Sequence, residues 1–235
     1  AKRAPVFSNS SAYRLDPQVP CIIGEVNPDH LDMVKLQRRR GWKGYIVTSP
    51  NCTTTGLALS LKPIHDRFGL REVIVSTMQA LSGAGEKGVD PESEYRRRAE
   101  ANVLPYIEGE EEKVEAETLK ILGRYEEDRV KEAGFKVTAS CHRVPVLHGH
   151  MEAVFIRTRE GCDPEDVKKV LKEFKGLPQE LGLRTAPKDP IIVLEDEDRP
   201  QPRLDADAGG GMSVVIGRVR RDGEKGVRYI LLSHN

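Results

Sequence analysis

Hydrophobic positions follow two rhythms along this chain. Pro5-Val6-Phe7-Ser8 and Gly44-Tyr45-Ile46-Val47-Thr48 are short apolar runs, the second closed by the turn formers Ser49-Pro50-Asn51, and both predict strands. Between them Leu31, Met33, Val34 and Leu36 predict a helix capped by Asn27-Pro28-Asp29-His30. Strand, helix, strand is one α/β unit, and a parallel pair of this kind needs further strands beside it. From Cys52 the spacing of Leu57, Leu59, Leu61 and Ile64 predicts a helix that starts directly after the turn.

Beyond that helix the pattern turns to strands. Val73 to Met78 reads as a buried strand ending in a glycine-rich bend, Ser82-Gly83-Ala84-Gly85, and a charged stretch continues to about Glu100. Glu110 to Leu122 has helical periodicity, and Lys136 to Cys141, Met151 to Arg157 and Met212 to Arg218 read as strands. Asp163-Pro164-Glu165-Asp166 opens a helix running to Phe174, since Asp caps well and Pro suits a first turn. Strands outnumber helices and lack a regular βαβ rhythm, so the fold class after Cys52 is α+β.

Composition narrows the function classes. Lys plus Arg and Asp plus Glu both number 37, so the chain lacks the basic excess that phosphate-backbone binding requires, and nucleic acid is not an expected partner. No stretch has the length of a membrane span, and the four cysteines, Cys21, Cys52, Cys141 and Cys162, form neither a CxxC pattern nor a dense disulfide framework. Free thiols in the cytoplasm are the expectation. The chain starts at Ala1 and neither end reads as a domain boundary, which suggests a fragment.

Five positions carry candidate chemistry. Cys52 sits at a strand-to-helix turn after Asn51, where helix-end amides favour a thiolate and an oxyanion hole is available; an inert buried thiol is the alternative. His150, after Gly149 and before a strand, has the pKa range to take a thiol proton and return it; with His148 it also has the spacing of a weak metal pair or of two surface histidines. Arg143 is either a carboxylate clamp or a solvated side chain. Glu110 and Lys113 share a helix face, and most such pairs are solvated ion pairs.

In order along the chain, Ser49-Pro50-Asn51-Cys52-Thr53-Thr54, Met78-Gln79-Ala80-Leu81-Ser82-Gly83-Ala84-Gly85, Glu110-Glu111-Glu112-Lys113, Arg143-Val144-Pro145-Val146 and Gly149-His150-Met151-Glu152 resemble the aspartate-semialdehyde dehydrogenases, in particular their archaeal and fungal branch. The resemblance implies reversible, NADP(H)-dependent reduction of aspartyl phosphate to aspartate semialdehyde through a cysteine thioester, in lysine, threonine, methionine and isoleucine biosynthesis. It implies that Cys52 is the nucleophile, His150 the acid/base, Asn51 an oxyanion contact and Gln79 a group that orients the acyl carbon. Arg143 would bind the substrate carboxylate, Glu110 its ammonium and Lys113 the phosphate; which of Glu110 and Glu111 faces the substrate stays open. Ser82, Gly83 and Gly85 would approach the nicotinamide, with Ser10 and Ser11 on the cofactor side, and no metal is implied. The implied fold has residues 1–51 as the tail of a Rossmann-type α/β domain and 52–235 as a catalytic and dimerisation domain with a mixed, largely antiparallel sheet and helices on one face. A homodimer or homotetramer is implied. The family's glycine-rich dinucleotide fingerprint is absent from this sequence. Malonyl-CoA or succinyl-CoA reductases, which use the same scaffold, and a non-catalytic dimerisation module are the alternatives.

Overall fold

The computed structural model describes residues 3–224 and 226–235. Its ten strands are β1 (Val6–Ser8), β2 (Ile46–Thr48), β3 (Leu70–Gln79), β4 (Arg124–Glu126), β5 (Arg129–Lys131), β6 (Lys136–Arg143), β7 (His150–Thr158), β8 (Ile191–Val193), β9 (Val214–Arg221) and β10 (Gly226–Ser233). The α-helices are α1 (Met33–Arg39), α2 (Cys52–Phe68), α3 (Glu86–Val89), α4 (Glu94–Ala99), α5 (Glu110–Ile121), α6 (Pro164–Glu173), α7 (Leu177–Glu180) and α8 (Pro202–Asp205). No helix among the described residues is long and apolar enough to cross a membrane.

Strands β1 and β2 form a separate parallel pair, with Val6 opposite Ile46. The main sheet has the order β6-β3-β7-β10-β9-β8. β3 runs parallel to β6 and β8 parallel to β9, while β3–β7, β7–β10 and β10–β9 are antiparallel, so the sheet is mixed and largely antiparallel, as expected.

Burial alternates along each strand because a pleated strand sends successive side chains to opposite faces. On β7, His150, Glu152, Val154, Ile156 and Thr158 are buried, and the residues between them are half-buried. The buried face joins Val73, Val75, Val137, Val154, Ile156, Ile216 and Leu231 to Leu57, Leu61 and Ile64 of α2, Val114 and Ile121 of α5, and Val167 and Leu171 of α6. All three long helices therefore cover one face. The opposite face leaves Ile74 46% exposed, with Phe155 and Ile230 half-buried beside it.

Several sequence expectations need correction. Asn27 does not cap the first helix: its side chain accepts from the Ile23 amide and donates to Cys21 O, and a 3₁₀ turn over Pro28–Asp32 leads into α1. The strand expected from Met212 starts at Val214, because Gly209–Gly211 belong to the preceding turn. β8, β10 and the β4–β5 hairpin were not anticipated, and the charged stretch before Glu100 holds α3 and α4. β10 lies between β7 and β9 with apolar neighbours on both sides, which makes its Val-Arg-Tyr-Ile-Leu-Leu run a central strand.

Candidate active site

The C-terminal ends of the parallel strands β3 and β6 set Gln79 directly opposite Arg143, and β7 begins beside them with His150 opposite Ser233. The N-terminus of α2 points into this corner. Asn51 caps that helix, its Oδ1 accepting from the Thr53 and Thr54 amides at 2.8 and 3.3 Å. An N-cap side chain satisfies amides that have no partner inside the helix, so the turn Pro50-Asn51-Cys52 is locally fixed.

Cys52 Sγ lies 3.3 Å from His150 Nε2, and the Ala80 amide N–H donates to His150 Nδ1 at 3.0 Å. The imidazole is fully buried, and its pKa is lowered to about 3 by burial first, then by the charges of Arg143 and His234. Burial raises the pKa of Cys52, and the Glu110 carboxylate raises it further, while the Thr53 amide and Arg143 act the other way. The expected thiolate stabilisation at the helix end is thus present but outweighed. Cys21, Cys141 and Cys162 are more deeply buried, with the first two pushed up to about 11 and about 12.

Glu110 Oε1 accepts from Asn51 Nδ2 at 3.0 Å and from Gln79 Nε2 at 2.8 Å, and Gln79 Oε1 in turn accepts from Thr77 Oγ1 at 3.0 Å. Arg143 is 3% exposed; its Nη1 donates to Ala80 O at 2.6 Å and its Nε to Tyr95 Oη at 3.1 Å, which leaves Nη2 for a ligand. Cys52, His150, Asn51, Gln79, Arg143 and Glu110 therefore meet in one place. Glu111 turns away to accept from the Cys141 amide at 2.9 Å, and Lys113 is half-buried one turn along, its Nζ beside Gly109 and not paired with Glu110.

A cleft of about 600 Å³ opens over the sulfur, lined by Cys52, Ser82, Gly83, Gly85, Asn9 and His234 among others. A Cβ on Gly83 would come within 2.8 Å of both Arg143 Nη1 and His150 Cε1, so only glycine permits this approach. Gly85 has φ +71° and ψ −150°, a conformation open essentially to glycine alone. Ser82 Oγ bonds to Asn235 Nδ2 at 2.8 Å and to His148 Nδ1 at 3.1 Å, so His148 and His150 serve different partners. Ser10 and Ser11 are exposed and do not line the cleft; the neighbouring Asn9 does, accepting from Ser49 Oγ at 3.0 Å.

Three contributors escaped the sequence pattern. Tyr95 and the Ala80 peptide act by position, which no residue-type motif reveals. Glu117 accepts from the Asn51 amide at 2.7 Å and from Arg14 Nη1 at 3.2 Å; it recurs seven residues after Glu110 on the buried face of α5, and that spacing was a usable signal.

Residues 61–235 match the family described as semialdehyde dehydrogenase, dimerisation domain. An aspartate-semialdehyde dehydrogenase of Methanothermobacter thermautotrophicus is 51% identical over 238 residues, covering 100% of this chain and 67% of that protein. One from Archaeoglobus fulgidus is 52% identical, with 98% of this chain and 64% of that protein covered. A malonyl CoA reductase (NADP) of Metallosphaera sedula is 40% identical over 98% of this chain and 64% of its own length. Among solved structures, aspartate semialdehyde dehydrogenase with NADP from Candida albicans superposes with a TM-score of 0.85 at 38% identity, over 98% of this chain and 66% of that one. The chain thus spans about two thirds of the length of the relatives it matches.

Proposed function

The chain belongs to the semialdehyde dehydrogenase family, and from that premise we propose that it forms the catalytic part of an enzyme that reversibly converts aspartyl phosphate to aspartate semialdehyde through a thioester on Cys52. The observation that carries this reading is the Cys52–His150 contact of 3.3 Å at the start of α2, flanked by Glu110 and Arg143. A carboxylate and a guanidinium of fixed orientation on either side of a thiol suit the ammonium and carboxylate of an amino-acid substrate.

In this reading the Cys52 sulfur attacks the acyl carbon, phosphate leaves, and the acyl group rests on the enzyme as a thioester. Arg143 Nη2 takes the substrate carboxylate and Glu110 the ammonium, while Gln79 and the remaining Asn51 amide hydrogen border the acyl oxygen. Glu110 raises the pKa of the thiol in the free protein, so a bound ammonium that offsets its charge would also ease ionisation of Cys52. Lys113 is the cation available for the phosphate.

The cleft also fits a nicotinamide: Gly83 and Gly85 line it beside Cys52, open space stands where a Gly85 side chain would be, and Ser82 borders it. NADPH bound there supplies the hydride that reduces the thioester. Residues 1–51, with the separate β1–β2 pair, go with the cofactor domain, and 52–235 with the catalytic and dimerisation domain. The uncovered sheet face around Ile74 and Phe155 suits pairing with a second copy. A cytoplasmic, homo-oligomeric biosynthetic enzyme follows.

Malonyl-CoA reduction is the second reading, supported by the Metallosphaera relative. Glu110 favours the first, because a malonyl group has no ammonium to offset its charge. Phosphate-dependent reduction of NADP by aspartate semialdehyde, in the natural full-length protein beside Cys52→Ala, tests the proposal. Activity lost in the variant supports it; no activity in the wild type, with turnover of malonyl-CoA and NADPH, moves the assignment to the CoA reductases.

A further inference from the structure

The first amides of a helix must be satisfied from outside its own ladder, and the amide of the N-cap residue is ordinarily taken by a carboxylate three residues further on. In α2 that position is Thr54, whose hydroxyl is buried without a partner among the described residues. The Asn51 amide donates instead to Glu117 Oε2 at 2.7 Å, so the acceptor comes from α5, 66 positions along the chain.

The other oxygen of the same carboxylate, Oε1, accepts from Arg14 Nη1 at 3.2 Å. Glu117 is 1% exposed and Arg14 8%, so the pair is buried, and removing one partner leaves the other uncompensated. Arg14 Nη2 donates to Asn9 O at 2.8 Å, and Asn9 Oδ1 accepts at 3.0 Å from the hydroxyl of Ser49, two positions before Asn51. These bonds close a ring that runs from Glu117 through Arg14, Asn9 and Ser49 and returns along the chain to Asn51. One turn further along α5, Lys120 Nζ donates to the carbonyls of Arg14, Asp16 and Val19 at 2.6, 2.8 and 2.8 Å, which ties the backbone of the same segment to the helix. Asn9, Arg14 and Asn51 all line the cleft over Cys52.

We propose that Glu117 is a positioning residue that couples two walls of the cleft, the turn carrying Cys52 and the segment from Asn9 to Arg14, by holding one with each carboxylate oxygen. The inference rests on the reading of Cys52 as the nucleophile. A carboxylate is required because both neighbours are donors. An amide of the same shape has one acceptor oxygen and one N–H₂ group, so either the Asn51 amide or the Arg14 guanidinium would face another donor. Lys120 holds the segment to α5; Glu117 joins it to the turn. The place of the sulfur relative to the substrate then depends on a helix that the sulfur does not touch.

Glu117→Gln keeps the shape, and the test compares it with Glu115→Ala in the full-length protein. Glu115 lies on the side of α5 that meets β6, where it accepts from the Ala139 amide at 2.9 Å, so its variant reports the loss of a carboxylate–amide bond alone. In steady-state oxidation of aspartate semialdehyde, Glu117→Gln should lower kcat at least about tenfold, the effect of a small displacement of a reacting group, with KM for the semialdehyde within about threefold. Hydrogen–deuterium exchange should speed up at least about tenfold in residues 9–14 and 51–54 together, as the loss of a charge-assisted bond requires. Glu115→Ala should speed exchange on β6 and leave kcat and KM as they are. A lower melting temperature with unchanged kcat, or faster exchange in one of the two segments without the other, would overturn the proposal. If Glu117→Gln does not fold, exchange in the wild type decides: slow exchange is expected at the Asn51 amide, and a rate typical of an open loop refutes the coupling. Turnover lost in Cys52→Ala tests the thioester reading separately, since exchange does not depend on catalysis.

Discussion

Glu110 and Glu111, adjacent at the start of α5, send their carboxylates to different parts of the molecule: Glu110 receives Asn51 and Gln79 at the thiol, whereas Glu111 caps the Cys141 amide on the edge strand β6. Helical rotation of about 100° per residue is enough to separate a carboxylate at the thiol from one at the sheet edge. Glu110→Gln should raise KM for the amino-acid substrate at least about tenfold, the value of one charge-assisted hydrogen bond, and make free Cys52 more reactive at a given pH. Glu111→Ala should leave KM unchanged and lower unfolding stability by about 1–2 kcal/mol, read from urea titrations.

Gly83→Ala probes the close approach of the loop to the corner that holds Arg143 and His150. Its Cβ would sit 2.8 Å from Arg143 and His150, and both are held in place, Arg143 by the Ala80 carbonyl and His150 by the Ala80 amide. Steady-state kinetics should show kcat reduced by about tenfold or more, the cost of a small displacement of reacting groups, with little change in melting temperature.

Tyr95 holds the Nε of Arg143 from the short helix α4. Tyr95→Phe removes one hydrogen bond worth about 1 kcal/mol, so KM should rise roughly fivefold with a smaller effect on kcat. An equal loss in a substrate lacking the carboxylate would argue against an Arg143 clamp.

Acid should destabilise the fold through His150. Its folded pKa of about 3 lies below the ordinary histidine value of 6.5, so below pH 6.5 the unfolded chain binds a proton that the native state refuses. Stability is lost progressively as pH falls from 6.5 toward 3, by on the order of 2 kcal/mol between pH 6.5 and 4.5. His30 and His65 are shifted in the same direction. The loss measured by denaturant titration should be smaller in His150→Gln.

Glu152 has the opposite sign. Its side chain is fully buried on β7, neither oxygen has a hydrogen-bond partner, and burial with the Glu110 charge pushes its pKa well above 4.5. Folding then favours the protonated acid, a contribution present below pH 4.5 and lost as pH rises through the folded value. Glu152→Met, similar in shape and without charge, should stabilise the protein by about 1–3 kcal/mol at pH 8 and by less at pH 5, as measured by thermal unfolding at the two pH values.

Much of this protein was legible along the chain because the relevant physics is local. Asn51 before Cys52 has the side chain that caps a helix, so the position of the thiol at the start of α2 could be read directly. The alternation over β3, β6 and β7 marked their buried faces in the same way. The sequence also determined which residues were candidates, through the order and spacing of its motifs. What it could not determine depends on contacts between distant segments. Gln79 and Arg143 are 64 positions apart and meet only because β3 and β6 run parallel in register. The raised pKa of Cys52 arises from burial and from Glu110 on another helix, both absent in the extended chain. The His150 ring is pinned by the Ala80 amide, 70 residues away, and every non-proline residue offers the same N–H; tertiary structure alone decides which one meets it.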